Sequence, residues 1–196
     1  MPALALPDPP LSDATITLRG FESTDVAALV EISQDPDIAR FTGVPSPYSA
    51  REARAWLARV ADGWSSGTRA SFAIVDAGDG RLLGTAGLMA IDHALSCAEI
   101  GYMLAAPARG RGAASRAVRL LSAWAFGPLD LESVELHIDR DNGASRAVAQ
   151  RTGFTRVDEP LVQREETAHF VNDIFFRARR HESAAGETLA PWTTQI

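Results

Sequence analysis

Hydrophobic and polar positions along the chain repeat with two periods, which predict strands interrupted by helices. Alternation over residues 14–18 predicts a first strand. A Ser-Thr-Asp cap then starts a helix that the Asp35-Pro36 pair is expected to end. A second helix is predicted after Ser49, because Glu52 three positions later completes a capping box.

The remainder of the chain predicts an antiparallel meander of three strands, then a strand-helix-strand-helix unit and two closing strands. Glycine and polar turns separate the strands of the meander. This order favours a mixed α/β (α+β) sheet with helices on both faces. The predicted strands cover residues 70–75, 82–91, 98–104, 134–138, 154–157 and 171–176, and the predicted helices cover 113–126 and 142–151.

The length of 196 residues is typical of one domain. Hydrophobic residues make up 46% of the chain, which is enough for one substantial core. The start is rich in proline, and the last residues are rich in Ser, Ala, Gly and Thr with no apolar period. We therefore expect an N-terminal tail at 1–12, a domain at 13–180 and a C-terminal tail at 181–196.

The charge balance argues against a nucleic-acid partner. With 19 Lys+Arg and 25 Asp+Glu the formal net charge is -6, so no broad basic face is expected. No apolar run approaches the ~20 residues of a membrane span, and the N-terminus lacks the basic start of a signal peptide. Cys97 is the single cysteine, and no Cys/His cluster has the spacing of a zinc site. These features predict a cytoplasmic protein with no metal and no membrane partner.

The most informative segment joins a predicted strand to a helix through the loop Arg109-Gly-Arg-Gly112. Glycines let the backbone approach a ligand closely, and the amides of the next helical turn favour a phosphate. Arg116 and Arg119 add positive charge to the start of the helix. Two other interpretations stay open: a flexible turn with solvated arginines, and a dinucleotide site, although Ser115 occupies the third glycine position.

A second motif, residues 142–154, makes this signal specific. It opens a helix with an Asn cap and closes it with Gly and Phe. Together the two motifs resemble the acetyl-CoA-binding core of the GNAT acyltransferase superfamily. The Glu99-Ile-Gly-Tyr102 strand is similar to that of its RimJ/RimL-like branch of ribosomal-protein N-terminal acetyltransferases. The matching residues are Arg109-x-x-Gly112-x-Ala114, Asn142-x-x-Ser145 and Arg151-x-Gly153-Phe154.

The resemblance implies a mostly antiparallel sheet of six or seven strands, whose two central strands splay apart around acetyl-CoA. The backbone of Tyr102 and Leu104 would pair with the pantetheine arm, and the Leu104 amide would point at the thioester oxygen. Asn142 would contact the pantetheine, and the loop amides would hold the pyrophosphate. The cofactor-binding residues implied in this way are Tyr102, Met103, Leu104, Arg109, Gly110, Arg111, Gly112, Ala113, Ala114, Ser115, Asn142 and Ser145.

The same resemblance implies direct acetyl transfer, which needs a base for the amine and an acid near the thiolate. Glu99, on the strand just before the site, is the expected base, and a purely structural carboxylate is the competing interpretation. His137 is the second candidate, because imidazole suits base catalysis at neutral pH. Ser145 is expected near the sulfur, as a proton relay or hydrogen-bond donor. The tyrosine that many family members use as the acid has no counterpart among Tyr48 and Tyr102.

The expected function is N-acetyl transfer from acetyl-CoA to a primary amine, either a peptide N-terminus or a small amine. A non-catalytic CoA-binding module of the same fold is the alternative, and the absent tyrosine favours it. The four loop and helix arginines leave the rest of the chain more acidic, which favours a cationic acceptor. The acceptor pocket is expected from the first two helices and residues 41–48 and 158–169, with Trp56 and Trp64 as candidate walls. The resemblance also implies that a homodimer is common.

Overall fold

The computed structural model describes residues 2–162 and 172–180, which form one sheet and the helices packed on it. The predicted tail at 181–196 and residues 163–169 of the predicted acceptor loop lie outside the described residues. In the described ranges, no helix is long and apolar enough to cross a membrane. The strands are β1 (Leu11–Ser12), β2 (Ile16–Arg19), β3 (Ala70–Asp76), β4 (Leu82–Asp92), β5 (Cys97–Leu104), β6 (Ser133–Asp139), β7 (Thr155–Val157) and β8 (Asp173–Arg179). The helices are α1 (Asp25–Ser33), α2 (Pro36–Thr42), α3 (Ala50–Ser66), α4 (Ala113–Phe126) and α5 (Gly143–Arg151).

The strands lie in the order β1-β2-β3-β4-β5-β6-β8-β7. Among the described strands, β5 and β6 form the one parallel pair, and every other pair is antiparallel. The predicted mixed, mostly antiparallel fold is therefore confirmed. A dinucleotide-binding fold is excluded, because it needs a sheet that is mostly parallel.

Two elements differ from the prediction. β1 makes the sheet eight-stranded instead of six- or seven-stranded, since Leu11 is buried and pairs with Leu18. The sheet thus begins two residues before the predicted start of the domain at residue 13. The second difference is α2, which begins at Pro36 directly after α1. Asp35 caps α2, since its side chain accepts a hydrogen bond of 2.8 Å from the amide of Asp37.

The two faces of the sheet have opposite character. One face is apolar and packs against α4, where Val118 and Leu121 are fully buried. The register places the next residue of each strand on the other face, since side chains alternate along a strand. Apolar residues at Phe72, Leu88, Ile100 and Leu136 thus alternate with Ser71, Met89, Glu99 and His137. The second face is the one that carries candidate chemistry.

The central strands are held close together by glycines of β4. A Cβ atom on Gly84 would lie 2.1 Å from the carbonyl oxygen of Met103 and 2.9 Å from Cα of Leu104. A contact with backbone atoms cannot be relieved by a side-chain rotation. Gly84 therefore sets the position of the last residues of β5, which border the candidate site.

We expect Gly84→Ala to lower the free energy of unfolding by about 1–3 kcal/mol, because the methyl group must push β5 away. Gly143→Ala is the matched control, since its Cβ would meet no atom within 4 Å. Urea unfolding followed by circular dichroism compares the two variants. Equal stability of Gly84→Ala and Gly143→Ala would contradict the close approach of β4 and β5.

Candidate active site

The site begins where β5 and β6 separate. Their parallel pairing covers only three positions and ends at the pair Glu99 and Glu135. β5 nevertheless continues to Leu104, and β6 continues to Asp139. The two strand ends therefore border a gap in the middle of the sheet, as the resemblance implies for splayed central strands. An extended ligand can pair with the free edge of β5 in such a gap.

Backbone groups of β5 point into this gap. The amide of Ala105 donates to the carbonyl of Leu83 at 2.9 Å, on the β4 side. Because antiparallel pairing alternates, the amides of Leu104 and Tyr102 point to the opposite side, towards β6. The Leu104 carbonyl faces that side as well, since it accepts a hydrogen bond of 3.2 Å from Nε of Arg109. The structure thus places both predicted backbone donors at the gap.

The loop after β5 has the geometry of an anion site. Gly110 and Gly112 have φ values of 74° and 83°, in the left-handed region that favours glycine. α4 begins immediately afterwards, and its first intrahelical hydrogen bond runs from Arg116 to Gly112. The amides of residues 113–115 have no intrahelical acceptor and lie at the positive end of the helix dipole. These amides can hold a phosphate without help from side chains.

The arginines of this region are less available than the sequence suggests. Carboxylates and a carbonyl from other segments hold the side chains of three of the four, and their contact with a phosphate stays a prediction. Arg111 alone makes no hydrogen bond or ion pair with the described residues. The protein partners are Asp35 at 2.8 Å for Arg109, Asp13 at 2.9 Å for Arg116, and the carbonyl of Arg151 at 2.8 Å for Arg119.

A buried polar cluster lies at the point where the strands part. Glu99 is 1% exposed, and His137 lies beside it on the same face of the sheet. Nδ1 of His137 lies 3.8 Å from Oε2 of Glu99, and Nε2 lies 3.2 Å from Oε2 of Glu135. Phe175 packs edge-on against the imidazole, with the ring centroids 4.9 Å apart. The two base candidates from the sequence are thus neighbours.

Glu135 accepts most of the hydrogen bonds of this cluster, and the sequence pattern did not single it out as a site residue. Its carboxylate accepts hydrogen bonds from Nε of Arg177 at 2.7 Å and from the amides of Leu161 and Val162. Burial by itself would raise the pKa of Glu135, but the hydrogen bonds from His137, the two amides and Arg177 lower it to about 2. The alternating position of Glu135 on β6, between apolar neighbours, was the signal that it faces the same side as His137.

An ionised Glu135 fixes the direction of its hydrogen bond with His137. A carboxylate can only accept, so Nε2 of His137 is the donor. Nδ1 lies on the other side of the ring, 3.8 Å from the carboxylate of Glu99.

The start of α5 lies at the other side of the gap. The Asn142 side chain accepts a hydrogen bond of 3.0 Å from the Ser145 amide, so its carbonyl oxygen caps the helix. The Tyr102 hydroxyl is buried next to the side chain of Ser145. Burial raises its pKa, while the hydrogen bond with Ser145 and the charge of Arg151 act in the opposite direction. The resemblance implies a role for the backbone of Tyr102 only, yet its phenol also lies at this site.

Glu99, Tyr102, His137, Asn142 and Ser145 line one cleft of about 1050 Å³, whereas Leu104, Glu135 and the loop at 109–115 are not among its lining residues. We call the part formed by β5, β6 and the start of α5 the cofactor half. We call the part formed by the segment after α2, by α3 and by β4 the outer half. Glu99 lies on β5 opposite Met89 of β4, so it adjoins both parts. The outer half is lined by Phe41, Thr42, Gly43, Val44, Pro45, Tyr48, Arg51, Glu52, Ala55, Trp56, Arg59, Thr68, Arg69, Ser71, Thr85, Met89 and Ala90.

The surroundings of Trp56, Trp64 and Cys97 show which of these residues line the cleft and which belong to the core. Trp56 lines the cleft, as expected. Trp64 is a core residue, because it packs against Phe72 and Trp124 at centroid distances of 5.2 and 6.1 Å. Cys97 is buried, and burial together with the charges of Glu135 and Asp92 raises its pKa to about 11. Its thiol is therefore a core group and not a nucleophile.

No group of three or more His, Cys, Asp or Glu residues in the described parts of the chain is arranged to hold a metal ion. The Glu135 cluster contains two carboxylates and a histidine, but Arg177 and two amides already occupy the Glu135 oxygens.

The Glu135 network makes a prediction about stability and pH. Its pKa is lower in the folded chain than its ordinary value of 4.5, so the stabilisation is complete above 4.5 and is lost as the pH falls towards 2. We expect this loss to be about 3 kcal/mol. Glu135→Gln should be less stable at pH 7 and should lack this acid-dependent loss. Glu31→Gln, at an exposed position of α1, is the control in urea unfolding between pH 7 and 3. An unchanged pH dependence in Glu135→Gln would contradict the network.

Comparison with known proteins agrees with this geometry. The model of the acetyltransferase (GNAT) domain matches residues 15–155. The N-acetyltransferase p20 of Bacillus licheniformis is 28% identical over 141 residues, which is 72% of this chain and 79% of p20.

Solved structures show the same fold. RimJ of Mycobacterium smegmatis in complex with CoA-disulfide has a TM-score of 0.73 at 21% identity, covering 85% of this chain and 83% of RimJ. Spermidine N-acetyltransferase of Vibrio cholerae in complex with CoA and spermine has a TM-score of 0.70 at 18% identity, covering 87% of this chain and 99% of that enzyme. With the family model matching well over half of its length, the chain belongs to the GNAT family of acetyltransferases.

Proposed function

We propose that this acetyltransferase moves the acetyl group of acetyl-CoA to a primary amine by direct attack in a ternary complex. The gap between β5 and β6 carries this proposal. It has a backbone donor at Leu104 on one edge, and the buried Glu99 lies where the gap meets the outer half of the cleft. An amine that enters from the outer half would meet the carboxylate before it reaches the gap.

The residues at the gap fit acetyl-CoA, which supplies an activated thioester when bound. The amides of Gly110, Gly112 and the first turn of α4 would hold the pyrophosphate, with Arg111 as the free cation. The edge of β5 at Tyr102, Met103 and Leu104 would pair with the pantetheine amides. The remaining residues proposed to border the cofactor are Arg109, Ala113, Ala114, Ser115, Asn142 and Ser145.

We assign Glu99 as the general base. The acceptor amine is protonated at neutral pH, and Glu99 would take its proton directly or through a water. His137 supports this role, because its Nδ1 lies 3.8 Å from the carboxylate and Glu135 would stabilise the imidazolium. The amide of Leu104 would donate to the carbonyl oxygen as negative charge develops there.

Ser145 and Tyr102 are the groups proposed to act near the leaving sulfur. Ser145 lies on the first turn of α5, and its hydroxyl is next to the buried hydroxyl of Tyr102, whose pKa it lowers. Both hydroxyls can donate to a ligand that reaches them. The phenol of Tyr102 can thus replace the family tyrosine that the sequence lacks.

The alternative of a CoA-binding module without catalysis is disfavoured. Membership of an acetyltransferase family supports an enzyme. A module that only binds CoA has no need for a carboxylate and a histidine buried at the end of the gap, since burying such groups is costly. We further propose a cytoplasmic location and a homodimer, both of which rest on the sequence and the resemblance.

Arg111→Ala should raise the KM for acetyl-CoA about threefold to tenfold and leave kcat nearly unchanged, because Arg111 is the loop arginine whose side chain makes no hydrogen bond or ion pair with the described residues. Arg54→Ala, at an exposed position of α3 that does not line the cleft, is the matched control. Thiol release at varied acetyl-CoA concentration measures both constants. An unchanged KM in Arg111→Ala would contradict the phosphate assignment of the loop.

Thiol release that depends on an added amine tests the proposed function. Glu99→Gln should lower kcat by about 10²-fold or more, because the base is lost, and should leave the KM for acetyl-CoA nearly intact. Parallel loss of cofactor affinity would assign Glu99 a structural role. Binding of acetyl-CoA with no turnover across a panel of peptides, polyamines and amino acids would overturn the proposal.

A further inference from the structure

The outer half of the cleft carries a stripe of positive charge that the proposed mechanism does not use. Arg51, Ala55 and Arg59 follow each other at intervals of four residues, so they lie on the same face of α3. This face lines the cleft, and the small side chain of Ala55 leaves room between the two arginines. Arg69, just before β3, contributes a third guanidinium to the same cleft.

These three arginines have no counter-ions in the described parts of the chain. None of them forms an ion pair or side-chain hydrogen bond there, and all three are exposed. Some other arginines of the protein are paired, as Arg19 is with Asp25 and Arg180 is with Asp130. The outer cleft is thus a place where positive charge is left unneutralised.

The acidic residues near the stripe do not cancel its charge. The carboxylate of Glu52 accepts hydrogen bonds from the amide and the hydroxyl of Ser49, at the N-terminus of α3. Glu99 lines the cleft and is 1% exposed. Arg59 is close enough to Tyr48 to act against the rise in pKa that burial causes in its phenol. The described outer lining therefore holds three arginines and one capped glutamate.

We propose that the acceptor is a primary amine that carries carboxylate groups, in particular the N-terminus of a peptide with acidic residues in its first few positions. This inference rests on the proposed function, because it places the reacting amine at Glu99. Arg51 and Arg59 are eight residues apart, about 12 Å along α3. Four residues of an extended peptide cover about 13 Å, so acidic side chains in its first positions match the length of the stripe, and Glu99 lines the same cleft.

The charge of the cleft is opposite to the charge of the whole chain. The formal net charge of -6 favours a cationic acceptor, whereas the outer cleft attracts anions. A polyamine such as the spermine bound to the Vibrio cholerae enzyme would meet three arginines here. The electrostatic potential inside the cleft acts on a bound ligand more strongly than charges elsewhere on the protein, because salt screens the distant charges.

Matched amines test this inference in the thiol-release assay with acetyl-CoA. The peptide arm compares Ser-Asp-Glu-Asp, Ser-Gln-Asn-Gln and Ser-Lys-Arg-Lys sequences of equal length, and the small-amine arm compares aspartate and glutamate with spermidine. We expect the acidic peptide to have the highest kcat/KM, by about tenfold over the neutral one, and to lose this advantage at high salt. A preference for glutamate or aspartate over all peptides would assign the stripe to small acidic amines.

Charge-reversal variants test which arginines of the cleft bind the acidic amine. Arg59→Glu should lower kcat/KM for the acidic amine at least fivefold and leave the KM for acetyl-CoA unchanged, because the cofactor lies in the other half of the cleft. Arg51→Glu and Arg69→Glu should act in the same direction. Arg54→Glu makes the same change on α3 outside the cleft lining and should behave as the wild type.

The outcomes separate the two proposals. Acetylation of spermidine or of the basic peptide in preference to the acidic amines overturns this inference and leaves the proposed function intact. Equal effects of Arg59→Glu and Arg54→Glu on the acidic peptide also overturn it. If no amine is acetylated while acetyl-CoA still binds, the proposed function fails, and the assignment of the acceptor fails with it.

Discussion

The site depends on the position at which β5 stops pairing with β6. Up to Glu99 the two strands satisfy each other's backbone groups, and beyond it the amides of β5 face an open gap. A sheet tolerates unpaired backbone groups in its centre only where something else can satisfy them, since a buried amide without an acceptor is costly. The gap therefore has the shape that an added extended segment would fill. The glycine loop and the start of α4 lie at the end of β5, next to the same divergence.

The Glu135 network keeps β6 on its side of this gap. Its carboxylate joins β6 to Arg177 on β8 and to the amides of Leu161 and Val162. A buried ion pair carries a large desolvation cost, which is compensated here by several hydrogen bonds to each oxygen. The same bonds keep Glu135 ionised and so orient His137 towards Glu99. The buried charge of Glu135 thus joins β6 to β8 and also holds the imidazole of His137 in place.

The two halves of the cleft differ in the groups that carry their positive charge. At the loop before α4, backbone amides provide positive potential, and two of the four arginines are paired with carboxylates: Arg109 with Asp35 and Asp37, and Arg116 with Asp13. In the outer half, three arginines keep their charge. The cofactor half thus depends on geometry that any family member can reproduce with glycines. The outer half depends on the side chains of α3 and of the segment before β3.

The sequence alone determined the features that depend on neighbours along the chain. Residues 113–126 form a helix with the predicted bounds, the Ser49 capping box is present, and the motifs at the loop and at α5 identified the family. β1 and α2 were missed because a two-residue strand has no period to detect, and because Asp35-Pro36 both follows one helix and starts another. The tertiary structure decided which charges are neutralised and which are left free. Glu135 with Arg177, Arg109 with Asp35, and the unpaired arginines of the cleft all depend on contacts between distant segments, and the energy of a charge depends on what surrounds it.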